Sequence, residues 1–189
     1  MLKKLYFLCA ICLVIRPDIV SAYPKADKDF AALPKYCYVR MRGAPAEKAV
    51  LDKRFGHKTY IHLHHYCSGL DYLNKAKMAL DMKARDLKLV KAIKQFDYVA
   101  ERMPSRSVVL PENYYNRGVA MKLLNDIAGS LKSFHRSIEL NKKYTRAYSA
   151  ISDIYVESGN KEDAIRVLEK GLKLSPTSKA LNRRLKKLE

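Results

Sequence analysis

"DIYVESGNKEDAIRVLEKGLKLSP", residues 153–176, contains two apolar-periodic runs that meet at a Gly-Asn step and stop at a proline. Gly159 can take the left-handed backbone conformation that closes one helix, and Asn160 can cap the next, with Asp163 three residues on. Before the joint Tyr148, Ile151 and Tyr155 recur at helical spacing, and after it Ile165, Leu168 and Leu172 do the same. Each run therefore has one apolar stripe. Pro176 forbids continuation of the second run. The stretch predicts two short antiparallel helices with a tight joint.

The hairpin recurs. Shifting the sequence by 34 residues lays Tyr114 on Tyr148, Gly118 on Ser152, Met121 on Tyr155, Asn125 on Gly159, Ser130 on Ala164, Phe134 on Leu168, Ser137 on Gly171 and Leu140 on Leu174. Small residues fill the same three slots in both copies, as close approach of two helix backbones requires, and large apolar residues lie between them.

This period and its small/large pattern resemble the tetratricopeptide repeat, a 34-residue helix-turn-helix unit. In 145–178, Tyr148, Ile151, Ser152, Tyr155, Gly159, Ala164, Leu168, Gly171 and Pro176 stand in family positions. Copy 111–144 departs at Arg117, where the family has leucine, and at Lys142, where it has proline; a looser first helix and exit are expected there. Tyrosine replaces the family's tryptophan in both. A divergent third copy over 61–104 places Gly69, Tyr72, Ala92, Phe96, Val99 and Pro104 in family order if about eleven extra residues separate its helices. One hairpin cannot bury its stripe alone, so about three stacked units are expected. The tail 179–189 supplies an end cap, with Leu181, Leu185 and Leu188 on one seam and Arg183, Arg184, Lys186 and Lys187 facing water. The expected architecture is all-α: a short right-handed α-solenoid of about three hairpins plus a capping helix.

The resemblance implies a groove lined by first helices in which a partner chain lies. Its facing positions are Glu112, Tyr115, Val119 and Lys122 in copy 111–144, and Arg146, Ser149, Asp153 and Val156 in copy 145–178, with Tyr66 and Leu70 as counterparts in the divergent copy. Tyrosine offers a rigid contact area and Arg146 can grip a carboxylate with two parallel bonds, so a protein or peptide partner of acidic character is expected. Beyond Arg146 and Asn116, the lysines and asparagines with which family members clamp heat-shock chaperone tails are missing.

The front of the chain speaks to compartment. Two lysines precede an uncharged stretch from Leu5 to Ile15, and Val20-Ser21-Ala22 ends the segment, the pattern of a cleaved secretory signal peptide over 1–22. Eleven residues are too few for a helix to span a hydrocarbon core, which takes about twenty. Neither Cys9 nor Cys12 has a lipoprotein cleavage context. A periplasmic or secreted chain starting near Tyr23 is expected, with 23–60 an irregular or helical amino-terminal cap. Of four cysteines, Cys37 and Cys67 remain after cleavage, and an even pair in an oxidising compartment predicts one disulfide.

The formal charge of +18 is spread along the whole chain and favours an anionic partner. No nucleic-acid-binding motif is readable, so nucleic acid is not expected. Peripheral contact with an anionic envelope surface through Arg183, Arg184, Lys186 and Lys187 is a further reading. "YIHLHHYCSGL" (60–70) sets His62, His64 and His65 beside Cys67. At that spacing neither helix face collects three ligands, and a bridged Cys67 cannot bind metal as thiolate. A metal- or haem-handling periplasmic protein is the alternative reading. No nucleophile elbow, phosphate-binding glycine loop or His-Glu-x-x-His is present, so no enzyme and no cofactor are expected. The favoured reading is an exported, non-enzymatic adaptor holding a partner in a cell-envelope assembly or export complex.

Overall fold

The computed structural model describes Pro24 and residues 27–189; the signal peptide expected over 1–22 lies outside them. Among the described residues every regular element is a helix. Four short helices, α1 (Asp27–Phe30), α2 (Lys35–Arg42), α3 (Pro45–Phe55) and α4 (His57–Tyr60), precede three hairpins. The hairpins pair α5 (Leu63–Lys77) with α6 (Met82–Arg102), α7 (Leu110–Leu123) with α8 (Ile127–Leu140), and α9 (Thr145–Glu157) with α10 (Lys161–Leu174). A final helix, α11 (Lys179–Leu188), packs on α10 and α9. The described part of segment 23–60 is thus largely helical, and α2 lies against α5.

The two tight joints share one backbone solution. Gly159 has φ +77° and Asn125 has φ +64°, the left-handed conformation that glycine and asparagine tolerate. The Asn160 amide reaches back to the Tyr155 carbonyl at 2.8 Å, and the Asp126 amide to the Met121 carbonyl at 2.9 Å, which satisfies a carbonyl that the helix end leaves open. Each second helix then starts on a side-chain cap: Asp81 accepts from the Ala84 amide, Asp126 from Gly129 and Asn160 from Asp163.

Small residues set the distance between paired helices. A Cβ on Gly118 would lie 2.6 Å from the Phe134 ring, and one on Gly69 would lie 2.5 Å from the Phe96 ring. The same glycine-under-phenylalanine contact therefore aligns the divergent hairpin with the regular one. Ser130 and Ser137 occupy the other close-approach slots and donate across the hairpin to the Gly118 and Pro111 carbonyls at 2.9 and 2.7 Å. Gly171 sits under Tyr148 and Leu181, so the last hairpin uses its glycine to admit the capping helix.

The extra residues of the divergent copy lengthen its helices and not its turn. Phe134 lies seven residues into α8 and Phe96 fourteen into α6; Gly118 lies five residues before the end of α7 and Gly69 eight before the end of α5. The joint, 78–81, is one residue longer than 124–126. The first hairpin consequently extends about two helical turns further along α6 than the regular unit does along α8.

Arg117 does not loosen α7 as its departure from leucine suggests. Its guanidinium reaches Asp97 on α6 at 2.5 Å and Ser133 on α8 at 2.7 Å, so a cation held by two neighbouring helices replaces an apolar contact. Lys142, in the slot where proline is usual, accepts through its carbonyl from the Tyr148 hydroxyl at 3.1 Å. Cys37 and Cys67 form a disulfide that joins α2 to α5, and Arg40 supports the same junction by donating to the Tyr60 carbonyl and stacking on the Tyr60 ring.

Candidate functional site

The first helices α7 and α9 and the capping helix α11 enclose a cleft of about 250 Å³ lined by Tyr115, Arg146, Ser149, Asp153 and Arg184. Helical spacing places these side chains: Arg146, Ser149 and Asp153 follow at i, i+3 and i+7 and so share one face of α9. Tyr115 comes from α7, and Arg184 from the polar side of α11, whose seam Leu181 is fully buried.

The Arg146 guanidinium lies 4.3 Å from the Tyr115 ring centre, a cation–π arrangement, with Glu112 and the Tyr144 hydroxyl each at 3.5 Å. The Tyr115 ring also packs against Tyr144 and Phe134, which fixes its plane. Arg146 is thus oriented by stacking and held by long polar contacts that leave donors available. Lys77, at the end of α5, has no carboxylate partner among the described residues. Burial first and then the Arg146 charge push the Lys77 ammonium below its usual range.

Ser149 forms the floor of the cleft. Its side chain is buried, at 6% exposure, and its hydroxyl has no hydrogen-bond partner among the described residues. A buried hydroxyl in that state favours any ligand group able to pair with it. Asp153 is gripped by Arg184 through two bonds, at 2.9 and 3.0 Å, and Lys122 reaches Glu157 at 2.6 Å. The wall therefore presents mixed charge, with its carboxylates neutralised from within.

Of the residues expected in the groove, Tyr115, Arg146, Ser149 and Asp153 come together, and Lys122 stands further along the same side, tied to α9. Val119 is half-buried between two core clusters, and Leu70 packs against the first of them. Tyr66 is a correction. It is completely buried, its hydroxyl accepts from Asn116 at 3.1 Å, and it serves the core and not a partner. Arg184 is a second correction: its basic neighbourhood points it to water, yet it binds α9. Glu112 faces the cleft as expected, whereas Tyr144, just before α9, had no periodic signal to mark it.

The histidines behave as packing groups. His65 pairs with Gln95 at 2.7 Å and stacks on Tyr98, His62 lies 3.4 Å from the Tyr98 hydroxyl, and His64 accepts from Arg40 at 3.3 Å. Burial, and then His65 and Arg40, push His64 down to about 4. Among the described residues no three His, Cys, Asp or Glu side chains converge where a metal ion could be held, and the Cys67 sulfur is spent in the bridge.

Residues 145–178 match the tetratricopeptide repeat model. In fold the chain is similar to a thermophilic tetratricopeptide-repeat protein of Thermus thermophilus, with 19% identity, a TM-score of 0.59, and coverage of 78% of this chain and 72% of that one. No curated protein compared with the chain matches it significantly. Residues 145–178 are thus a tetratricopeptide repeat, set in an α-solenoid of helical hairpins.

Proposed function

We propose that the chain is an exported, non-enzymatic adaptor that holds an extended or helical segment of a partner protein in the cleft between α7, α9 and α11, within a cell-envelope assembly or export complex. The observation that carries the reading is the unpartnered Ser149 hydroxyl at the floor of a cleft whose rim bears Arg146 stacked on Tyr115. A partner carboxylate can take the donors of Arg146 left available by its long contacts, while a backbone or hydroxyl group pairs with Ser149. Tyr115 supplies the flat apolar wall. The leader-like pattern of 1–22 and the disulfide support an oxidising, exported setting.

The test is photo-crosslinking from position 115 in producing cells, combined with cell fractionation and amino-terminal sequencing. A crosslinked protein partner, lost in Arg146→Glu with Tyr115→Ala at unchanged helix content, is the expected result. Undiminished capture by that double variant moves the site elsewhere, and an uncleaved chain in the cytoplasmic fraction rejects export.

A further inference from the structure

The lengthened first hairpin ends in an apolar tip that the groove reading does not use. Met78 is 81% exposed, Leu80 completely so, Met82 60% and Leu87 57%, and Val90 follows on the same helix. These five of the chain's exposed large apolar residues fall within thirteen consecutive positions, at the joint between α5 and α6 and along the first turns of α6. Scattered exposed apolar residues need no explanation; a cluster at one extremity does.

The charges around the tip are mostly basic. Between positions 75 and 94 there are seven Lys or Arg against two Asp. Both acids are occupied: Asp81 caps α6 through the Ala84 amide, and Asp86 pairs with Arg85 at 3.0 Å. Lys77, Lys83, Lys88, Lys91 and Lys94 have no carboxylate partner among the described residues. On α6, Lys83, Leu87, Val90 and Lys94 fall at i, i+4, i+7 and i+11, so the exposed apolar pair is bracketed by ammonium groups on one helix face.

We propose that this tip docks the protein on an anionic lipid surface. Met78, Leu80, Met82 and Leu87 enter the boundary between head groups and acyl chains, and the surrounding lysines extend their stems to lipid phosphates. Charge complementarity selects this occupant, because Lys77, Lys83, Lys88, Lys91 and Lys94 each contribute near an anionic surface and none of the five pairs with a carboxylate among the described residues. Shape agrees: a lengthened hairpin end with Met78 largely and Leu80 completely exposed fits a fluid, deformable layer. No described helix is long and apolar enough to cross a membrane, so the contact is peripheral. The hairpin's two added turns then hold the repeat groove off the surface.

The chain contains no tryptophan, so Leu80→Trp installs a single reporter. The full-length product, as its cells process it, is mixed with vesicles of phosphatidylglycerol and phosphatidylcholine, or of phosphatidylcholine alone. A blue-shifted emission quenched by brominated acyl chains, seen only with the anionic vesicles, is expected. In sedimentation, Met78→Asp with Leu87→Asp should lower partitioning at least about tenfold relative to wild type, since two buried apolar side chains are lost and two like charges added, whereas Arg183→Glu with Lys187→Glu should change it less. Unshifted emission, or partitioning unaltered by Met78→Asp with Leu87→Asp, overturns the proposal. Concentration-dependent dimers that vanish in that variant assign the tip to a second copy and overturn it equally.

Discussion

Arg184, on the last helix, holds both carboxylate oxygens of Asp153, thirty-one residues earlier on α9, at 2.9 and 3.0 Å. The pair closes one end of the cleft with the capping helix, which would otherwise serve only to cover the Leu168 and Leu181 core. Both side chains are partly exposed, so the pair positions the cleft wall more than it stabilises the fold.

Arg184→Ala is accordingly expected to cost no more than about 1 kcal/mol in denaturant unfolding, while crosslinking from position 115 drops. A double-mutant cycle with Asp153→Asn measures the coupling. Capture that survives Arg184→Ala unchanged removes the capping helix from the site.

Gly118→Ala should destabilise by about 1–3 kcal/mol, because the added methyl meets the Phe134 ring at 2.6 Å inside a packed hairpin. Combining it with Phe134→Leu should recover part of the loss. The last repeat already carries that pairing of a larger residue with a smaller one, in Ser152 and Leu168 at the corresponding positions. Thermal unfolding of the four chains checks it, and additive losses would refute the register.

Cys37→Ser with Cys67→Ser removes a bridge between residues thirty apart, worth about 3–4 kcal/mol if chain entropy dominates. The expected sign is a lower midpoint in the double variant than in wild type, with the gap closed by reductant. Two alkylatable thiols in the protein recovered from its cells would show that the bridge does not form there.

Acid should weaken the fold through His64. Folded His64 resists protonation down to about 4, against an ordinary value near 6.5 in the unfolded chain, because it is partly buried and faces Arg40, His65 and His62. Between those values the unfolded chain binds more protons, so this contribution to stability is present above pH 6.5 and lost as pH falls towards 4. His64→Gln should flatten the pH dependence over that window. An identical slope in the variant would assign acid sensitivity to other groups.

Local signals determined the repeat. Gly159, Asn160 and Pro176 fix a turn, a cap and a stop through backbone constraints that act within a few residues, and the 34-residue recurrence of small and large side chains follows from the same helix pair being built twice. Even the divergent hairpin was legible from Gly69 and Phe96, since the close contact they form is the one between Gly118 and Phe134. Only the tertiary structure decided where the extra residues go, that Tyr66 is interior, and that Arg184 belongs to the cleft. Those outcomes depend on what neighbouring elements bring: Asn116 and the amino-terminal helices bury Tyr66, and α9 offers Asp153 to a helix that, read alone, presents a basic face to water. A side chain's periodicity states which face of a helix it occupies, and packing alone states what that face meets.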